Sequence, residues 1–578
     1  MPLDLVRDSV FGQLVNYATN GRLLPYADQK PGYVVPSYLV DAPASTSSSP
    51  SRRGSTPLPP SRTLSQAPTM ASTVVSPPET LVNENGICKE LEKESSNIDV
   101  EKNQPPANEV ETYPWLVRFE ENDQDRPLNW SFRKRAFVGF LIGLLTFAVY
   151  IASANYTSSI PGLMEEFGAS RTLATAGLTL FVAFYGIGPM LLAPMQEVAS
   201  IGRNPVYIAG LFLFVIFQIP PIFGNGMAVV LVFRALAGFV GSPALATGGA
   251  SMGDIFSMEH YAIALSGWSM GAVCGPVFGP VIGGFAAQHM GWRWTFLEMI
   301  WISGVAFAIL FVLLPETYED TVLLRRAQRL RKLTGNAKIK APSELGSTAH
   351  KGVRSHIKEN MYRALRLSLE PSILVANSYI ALVYAIFYTW LEVFVLVFNE
   401  QHHFNLGLSG LPYLGFIVSG AVTIAAYIWY QLRVLNPHLR AHPDTPPEIR
   451  LRIALFAAVC IPISLFGFGW TAQTHQHWMV PIVFAAIYLP GIFLAFQSIL
   501  VYVSMSYPKY AASVLAGNDL FRSVFASVFP LFATNLFTTL GLGGGSSLLA
   551  GLSIVMIPIL YAIMHFGAAL RARSSFAE

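Results

Sequence analysis

Long apolar segments recur along this sequence, and they constrain its fold more than any other feature. From residue 136 onward each is roughly 18 to 25 residues long, the length that a helix needs to cross the hydrocarbon core of a bilayer. The sequence therefore predicts an all-α membrane protein with twelve transmembrane helices, at residues 136–158, 173–195, 205–223, 228–254, 262–287, 295–314, 372–397, 411–430, 453–470, 479–504, 513–537 and 549–568.

The composition agrees with a chain that is embedded in lipid. Hydrophobic residues make up 52% of the 578 residues and charged residues only 13%, which is more apolar material than soluble domains can bury. A net charge of +3 is too small for this length to indicate a nucleic-acid partner. The cysteines Cys88, Cys274 and Cys460 lie far apart without CxxC spacing, so we expect neither a disulfide framework nor a metal site.

Polar stretches divide the chain around the apolar segments. The stretch rich in Ser, Pro and Thr at residues 42–83 buries too little apolar surface to offset the entropy of ordering it. The sequence predicts five parts: a largely disordered cytoplasmic tail (1–135), an N-terminal six-helix half (136–314), a cytoplasmic linker (315–371), a C-terminal six-helix half (372–568) and a short cytoplasmic tail (569–578).

The orientation follows from the positive charges, because Lys and Arg resist translocation. With twelve spans, the basic stretches "SFRKR", "IGRN", the linker, the loop between the eighth and ninth spans, and "LRARS" all lie on one side of the membrane. That side is predicted to be cytoplasmic, with both termini there, and we expect no cleavable signal peptide.

Several classes of membrane protein are excluded by missing motifs. An ATP-driven pump of the phosphate-loop type needs a Gly-Lys dipeptide in its nucleotide-binding loop, and the sequence contains none. A metalloenzyme needs clustered ligands, such as an H-E-x-x-H motif, and the adjacent His402 and His403 are not part of one. Twelve spans in two halves are instead typical of a secondary transporter whose halves rock about a central site, and no enzymatic activity is expected.

Particular stretches resemble the major facilitator superfamily and, within it, the fungal twelve-span drug:proton antiporters. "FRALAGFVGSPALATGGASMGDIF" resembles the family's fourth-span motif, "GAVCGPVFGPVIGG" its fifth-span antiporter motif, and "LPET" the exit from the sixth span. "YADQKPGYVVPSYLV", "DRPLNW" and "NDLFRSVFASVFPLF" resemble the multidrug-resistance subgroup that exports azoles, benomyl-type fungicides or cycloheximide. The likeness covers nearly all of residues 110–578.

This resemblance implies a function. We expect proton-coupled efflux of amphipathic drugs, fungicides or toxic metabolites across the plasma membrane, with the proton gradient as energy source and no cofactor. The implied partners are small amphipathic molecules, protons and the lipid bilayer, and a monomer is expected. Two alternatives stay open: a nutrient or metabolite importer of the same superfamily, which normally lacks the Gly-Pro pattern of the fifth span, and a non-transporting sensor, which would tolerate loss of the intramembrane charges.

The fifth span carries glycine at every fourth position, so one helix face lacks side chains and lets a neighbouring helix approach closely. Two prolines on an adjacent face each remove a backbone hydrogen bond and permit a bend. The pattern predicts a kinked packing seam, which the resemblance further associates with export, at Gly271, Gly275, Pro276, Gly279, Pro280 and Gly283.

Ionisable residues within the spans are candidates for proton coupling, since a charge in hydrocarbon is costly and usually faces a cavity or a partner. Arg234 matches the family's fourth-span arginine, with snorkelling to the outer interface as the alternative. Glu392 is the predicted proton carrier, because a carboxylate in a dry cavity takes up a proton readily; the rival hypothesis is a static pair with Arg234. Asp519 and Arg522 are three residues apart on one helix face and can form a local ion pair.

The loop between the second and third spans carries a conformational motif. The family places an acid three residues before its Gly-Arg, whereas here Glu197 stands five before Gly202, so the acid departs from its usual place. Arg203 still matches, and we predict that it pairs with Asp254 at the cytoplasmic end of the fourth span. Such a pair can form in one state and break in another, and we expect it to latch the outward-open state.

Aromatic and amide side chains on the helices that line the cavity of such a fold suit flat, uncharged, amphipathic substrates. The candidates for substrate binding, each with lipid exposure or helix packing as the alternative, are Asn155, Tyr156, Tyr384, Tyr388, Trp390, Phe496, Gln497 and Phe521.

Overall fold

The computed structural model describes residues 2–19, 21–30, 32–36, 39, 113–345, 353–442, 445–472, 476–507 and 511–572. Its internal contacts divide the chain into two units, residues 35–116 and the remainder. Little of the smaller unit is described, and the membrane-spanning region belongs entirely to the larger one.

Eleven helical segments of the described chain are long and apolar enough to cross a membrane. The predicted all-α membrane architecture is confirmed. We number the segments as spans 1 to 11: Phe132–Phe167, Arg171–Gln196, Arg203–Phe223, Met227–Ile255, Met258–Met290, Arg293–Leu313, Pro371–Gln401, Leu408–Ala441, Pro447–Thr471, Met479–Ser506 and Ser513–Arg571.

Span 11 contains a break. The helix Ala511–Arg571 has 61 residues, which at about 1.5 Å per residue is roughly three times the thickness of the hydrocarbon core. Gly541 inside it has non-helical backbone angles, φ 73° and ψ 165°. Dividing the segment at Gly541 would give the predicted twelfth helix; the count of twelve and the cytoplasmic termini stay predictions.

The segment that we predicted to be a disordered tail contains regular structure near its start. Helices Pro2–Asp8 and Val10–Ala18 are followed by a short 3-10 helix, Ala27–Gln29. The first membrane helix begins at Phe132, four residues before the predicted start. The stretch at 42–83 on which the disorder prediction rests lies outside the described residues.

Two helices occupy the linker between spans 6 and 7: Glu319–Thr334 and Val353–Ser368. The first is tied to N-terminal residues by two ion pairs, Arg326 with Asp123, and Arg329 with Asp28 at 2.8 Å. It lies beyond the end of span 6. The linker is therefore part of the folded structure over these two ranges.

Spans 1–6 and spans 7–11, which we call the N-terminal and C-terminal halves, contact each other along two lines. Spans 2 and 11 approach closely where a Cβ on Gly186 would overlap the Ser523 side chain. Spans 5 and 8 do the same where Gly410 lies against the carbonyl oxygen of Pro280. Following the predicted orientation, we call the end of the bundle near Gln196 the inner end and the opposite end the outer end.

Candidate functional site

A cavity of about 70 Å³ lies between the halves, near the middle of the spans. Aromatic and aliphatic side chains dominate its wall, and the predicted substrate-binding residues Tyr384 and Phe496 are among them. Its residues come from both halves: Tyr150, Leu245, Trp268, Ser269, Ala272, Val273, Tyr384, Phe387, Leu489, Ile492, Phe493, Phe496 and Arg522. Pockets for drug-sized ligands are about 300–1,000 Å³, so the halves must separate to admit one.

Arg522 is the charged residue of the cavity wall, and it pairs with Asp519 as predicted. Both side chains are buried, and the guanidinium carbon lies 5.0 Å from the ring centroids of Tyr384 and Phe496. Among the described residues, Arg522 Nε and Asp519 Oδ2 have no hydrogen-bond partner. A ligand in an enlarged cavity would meet aromatic faces and a hydrogen-bond donor together.

Two other predicted binding residues link the halves beside the cavity. Gln497 donates from Nε2 to Ser269 Oγ at 2.5 Å, and the Tyr388 hydroxyl donates to Ser153 Oγ at 3.2 Å. Trp390 instead packs inside the C-terminal half, with its ring centroid 4.6 Å from that of Tyr488. Gln497 and Tyr388 thus form hydrogen bonds between the two halves.

The remaining three candidates are not among the residues of the cavity wall. Asn155 donates from Nδ2 to the Thr295 carbonyl oxygen at 2.8 Å, and the Tyr156 hydroxyl donates to the Ala174 carbonyl oxygen at 2.7 Å. Phe521 is half-buried on span 11. In this conformation Asn155 and Tyr156 connect helices of the N-terminal half.

Arg234 is buried, with 2% of its surface exposed, so the snorkelling alternative is wrong. It donates to the carbonyl oxygens of Gly177 (3.2 Å) and Ala152 (3.0 Å), and its guanidinium lies over the ring of Phe181 at 4.2 Å. Within the described chain no carboxylate lies within 4.0 Å of it. Because hydrogen bonds to carbonyls and contact with an aromatic face both stabilise a guanidinium, Arg234 is held here without an acid.

Glu392 pairs with a residue that the sequence analysis did not single out. Its carboxylate lies 3.6 Å from Arg171 at the outer end of span 2, and Arg171 also lies 3.8 Å from Glu400. The hypothesis of a static pair between Glu392 and Arg234 is therefore wrong. Glu392 is 4% exposed, Arg171 32%, and Oε1 of Glu392 has no hydrogen-bond partner among the described residues. The available signal was a basic residue two positions before the predicted second span.

At the inner end, Arg203 and Asp254 form the predicted ion pair. Arg203 Nε and Nη2 donate to the two carboxylate oxygens of Asp254 at 2.5 and 3.1 Å, a bidentate geometry. Thr317 also donates to Asp254 at 3.2 Å. This pair ties the start of span 3 to the end of span 4.

Glu316 lies next to the Arg203–Asp254 pair, and we call the region around these three residues the inner corner. The sequence analysis assigned Glu316 no role. Its carboxylate accepts hydrogen bonds from four backbone N–H groups, two at the start of span 3 and two directly after Glu316: Arg203 (3.0 Å), Asn204 (3.4 Å), Thr317 (3.1 Å) and Tyr318 (3.1 Å). A carboxylate at the first turn of a helix satisfies N–H groups that have no partner within the helix, and it favours the positive end of the helix dipole. Glu316 thus caps span 3.

Gly202 is required next to this cap for two reasons. Its φ is +82°, in the region that residues with a Cβ rarely adopt. A Cβ would also lie 2.8 Å from the Glu316 carboxyl carbon. The glycine of the motif therefore lets the carboxylate reach the helix end.

Glu197, the acid at the shifted motif position, contacts the linker instead. It accepts a hydrogen bond from Asn360 Nδ2 at 2.9 Å. Burial raises the pKa of Glu197, and the nearby positive charges of Arg203 and Arg363 oppose that shift. The residue joins the end of span 2 to the helix that precedes span 7.

The glycine seam of span 5 packs against span 1. A Cβ on Gly271 would overlap the carbonyl oxygen of Gly143, and a Cβ on Gly275 would lie 2.9 Å from the Ile151 nitrogen. Gly279 and Gly283 both lie against Asn155. The predicted close approach of a neighbouring helix is present, and Pro276 and Pro280 both stand inside the continuous helix Met258–Met290.

An all-helical membrane protein whose two halves enclose a central cavity has the architecture of a transporter. The chain belongs to the Major Facilitator Superfamily, whose family model matches residues 142–530. It is 38% identical to the cycloheximide resistance protein of Candida maltosa over 99% of each chain. It is 35% identical to fluconazole resistance protein 1 of Saccharomyces cerevisiae, over 86% of this chain and 89% of that protein.

Solved structures agree on the fold. The xylose transporter XylE from E. coli, in a partially occluded inward open conformation, matches with a TM-score of 0.52 over 74% of this chain and 98% of that one. The two sequences are 13% identical, so this likeness concerns the fold alone.

Proposed function

We propose that this protein is a plasma-membrane exporter that uses the proton gradient to expel small amphipathic molecules and thereby gives multidrug resistance. Support comes from relatives named for resistance to cycloheximide and fluconazole and from others named multidrug transporters. The aromatic wall of the central cavity suits flat, amphipathic ligands. We expect it to work as a monomer without a cofactor.

One observation carries the proton coupling: Glu392 is a buried carboxylate at the outer end whose ion-pair partner, Arg171, belongs to the other half. While Glu392 is charged, its attraction to Arg171 holds the halves together there. A proton on Glu392 removes that charge and with it the attraction that holds Arg171 against the other half. Protonation from outside therefore favours opening of the outer end and release of the drug.

Asp519 is the second carboxylate in the proposal. It lies beside the cavity and neutralises Arg522, which faces the cavity. A proton on Asp519 would leave the Arg522 guanidinium unbalanced next to the ligand. This arrangement offers a direct competition between proton and drug, whereas Glu392 acts through the outer contact.

The test uses purified protein in proteoliposomes with an imposed pH gradient and a fluorescent substrate. Glu392→Gln keeps the shape and removes the charge, so we expect gradient-driven transport to fall at least tenfold while substrate binding stays within twofold. The matched control is Glu400→Gln, which removes the exposed second partner of Arg171 and should transport normally. Full gradient-driven transport by Glu392→Gln, with loss in Asp519→Asn, would move the coupling to Asp519.

Expression in a pump-deficient yeast separates export from the alternatives. Resistance to azoles, benzimidazoles and translation inhibitors is the expected outcome. Increased sensitivity, or growth on a new carbon source, would instead support an importer. No change with any compound, in cells that carry the protein at the surface, would support a sensor.

A further inference from the structure

The N-terminal helix Val10–Ala18 occupies a fixed place at the inner end of span 6. The amide of Glu316 donates to the carbonyl oxygen of Asp8 at 3.2 Å, and Ser9 forms an isolated antiparallel bridge with Pro315. Ser9 also caps the helix, because its Oγ accepts the N–H of Gly12 at 3.1 Å. Leu5, in the preceding helix Pro2–Asp8, is buried. Since span 6 ends at Leu313, the helix is held where that span leaves the hydrocarbon.

One face of this helix is apolar and exposed. Phe11 is 37% exposed, Leu14 56% and Tyr17 86%, and these residues follow one another at intervals of three. At that spacing they share a helix face. A helix that faced water here would present polar residues, so this face requires an apolar environment.

The apolar face continues the lipid-facing surface of the spans. The Phe11 ring centroid lies 5.8 Å from that of Phe311, which lies 5.6 Å from Phe307. Phe307 in turn lies 5.5 Å from Phe212 of span 3, which is 49% exposed. Four aromatic rings thus run without interruption from spans 3 and 6 onto the N-terminal helix.

We propose that the helix Val10–Ala18 lies in the bilayer interface and inserts Phe11, Leu14 and Tyr17 among the lipids of the inner leaflet. The continuous row of rings selects lipid over a protein partner, because the surface that it extends is one that lipid covers. Tyrosine suits this depth, since its ring is apolar and its hydroxyl reaches water. Because Asp8 accepts the amide of Glu316, the anchored helix is joined directly to the cap of span 3.

Spin labels measure the proposal without any assay of transport. Single cysteines replace Leu14, Tyr17 or Lys332 in a folded, monodisperse background whose native cysteines are alanine, and the proteins are labelled in phospholipid vesicles. Collisions with oxygen, which concentrates in lipid, are compared with collisions with a water-soluble nickel chelate. Lys332 is the aqueous control, because it is exposed on the linker helix Glu319–Thr334.

We expect the oxygen-to-nickel collision ratio at positions 14 and 17 to exceed that at position 332 at least threefold. A ratio equal to that at position 332 would overturn the proposal by placing the face in water. Low accessibility to both reagents would also overturn it, because another protein surface would then cover the helix. Failure of the proposed transport function would leave these ratios unchanged.

Discussion

Replacing Gly279 by alanine tests how closely span 5 packs against span 1. The added Cβ would lie 2.6 Å from the Asn155 nitrogen and 3.0 Å from the Ile151 carbonyl oxygen. Both atoms belong to backbone, so they cannot rotate away as a side chain can. Ordinary van der Waals contact begins near 3.4 Å, so the two helices would have to separate by roughly 0.8 Å.

The expected cost follows from two opposing effects. Overpacking a well-packed interior destabilises by about 1–3 kcal/mol. Alanine recovers up to about 1 kcal/mol of helix propensity relative to glycine. Gly267 is the matched control, because it lies on the same helix and a Cβ added there would meet no described neighbour within 4 Å. Its alanine variant therefore gains helix propensity without the cost of overpacking.

The assay is the midpoint of thermal unfolding of detergent-solubilised protein, followed by fluorescence-detected size exclusion. At about 2–4 °C per kcal/mol for a domain the size of one half, Gly279→Ala should unfold roughly 2–12 °C below Gly267→Ala. Gly279→Val should fall lower still. Equal midpoints for the two alanine variants would refute the packing argument, because the backbone of span 1 would then not restrict position 279.

The inner corner provides three further predictions. Gly202→Ala should lower the yield of folded protein severalfold in the same size-exclusion assay, because it combines a φ of +82° with a clash on Glu316; an unchanged yield would contradict this strain. Glu316→Gln should cost about 1–3 kcal/mol in the thermal assay, since an amide cannot accept all the backbone N–H groups that the carboxylate accepts; a midpoint equal to wild type would dismiss the cap. Glu197→Gln should keep resistance within twofold, because its amide oxygen can still accept from Asn360 and a neutral side chain is less costly at a buried position; complete loss of resistance would give Glu197 a gating role.

Sequence periodicity was sufficient where a contact depends on spacing within one helix. The pairing of Asp519 with Arg522 needs only a spacing of three residues within one helix, and the structure has it. The glycine seam likewise needs only a repeat of four, although the sequence did not identify span 1 as the neighbour. The general fold could also be predicted, because segment length and composition are properties of single continuous segments.

Residue spacing along the sequence could not predict contacts between distant segments. The choice of Arg171 over Arg234 as the partner of Glu392 depends on which helix ends meet at the outer side. Glu316 was visible only as part of "LPET", because two of the backbone N–H groups that donate to it belong to span 3, more than a hundred residues earlier in the chain. The helix at residues 10–18 is nine residues long and lies in a segment whose later composition indicated disorder.

The contacts that close the two ends of the central cavity differ in chemistry. This difference bears on which end protonation could open. At the inner end, the ion pair between the halves is Arg440–Glu259, in which the Arg440 side chain is 69% exposed, and Glu197 also accepts a hydrogen bond from Asn360 of the linker helix Val353–Ser368. Exposed ion pairs stabilise a contact by only about 0–1 kcal/mol, so this pair can break without any change of protonation.

At the outer end, the partner of Arg171 is the buried carboxylate of Glu392. Breaking this pair while Glu392 is charged and still buried would leave that charge uncompensated, which is costly. A proton on Glu392 removes that charge before the halves part. In the proposed coupling, opening of the outer end therefore depends on protonation of Glu392, whereas Asp519 acts separately, beside the cavity.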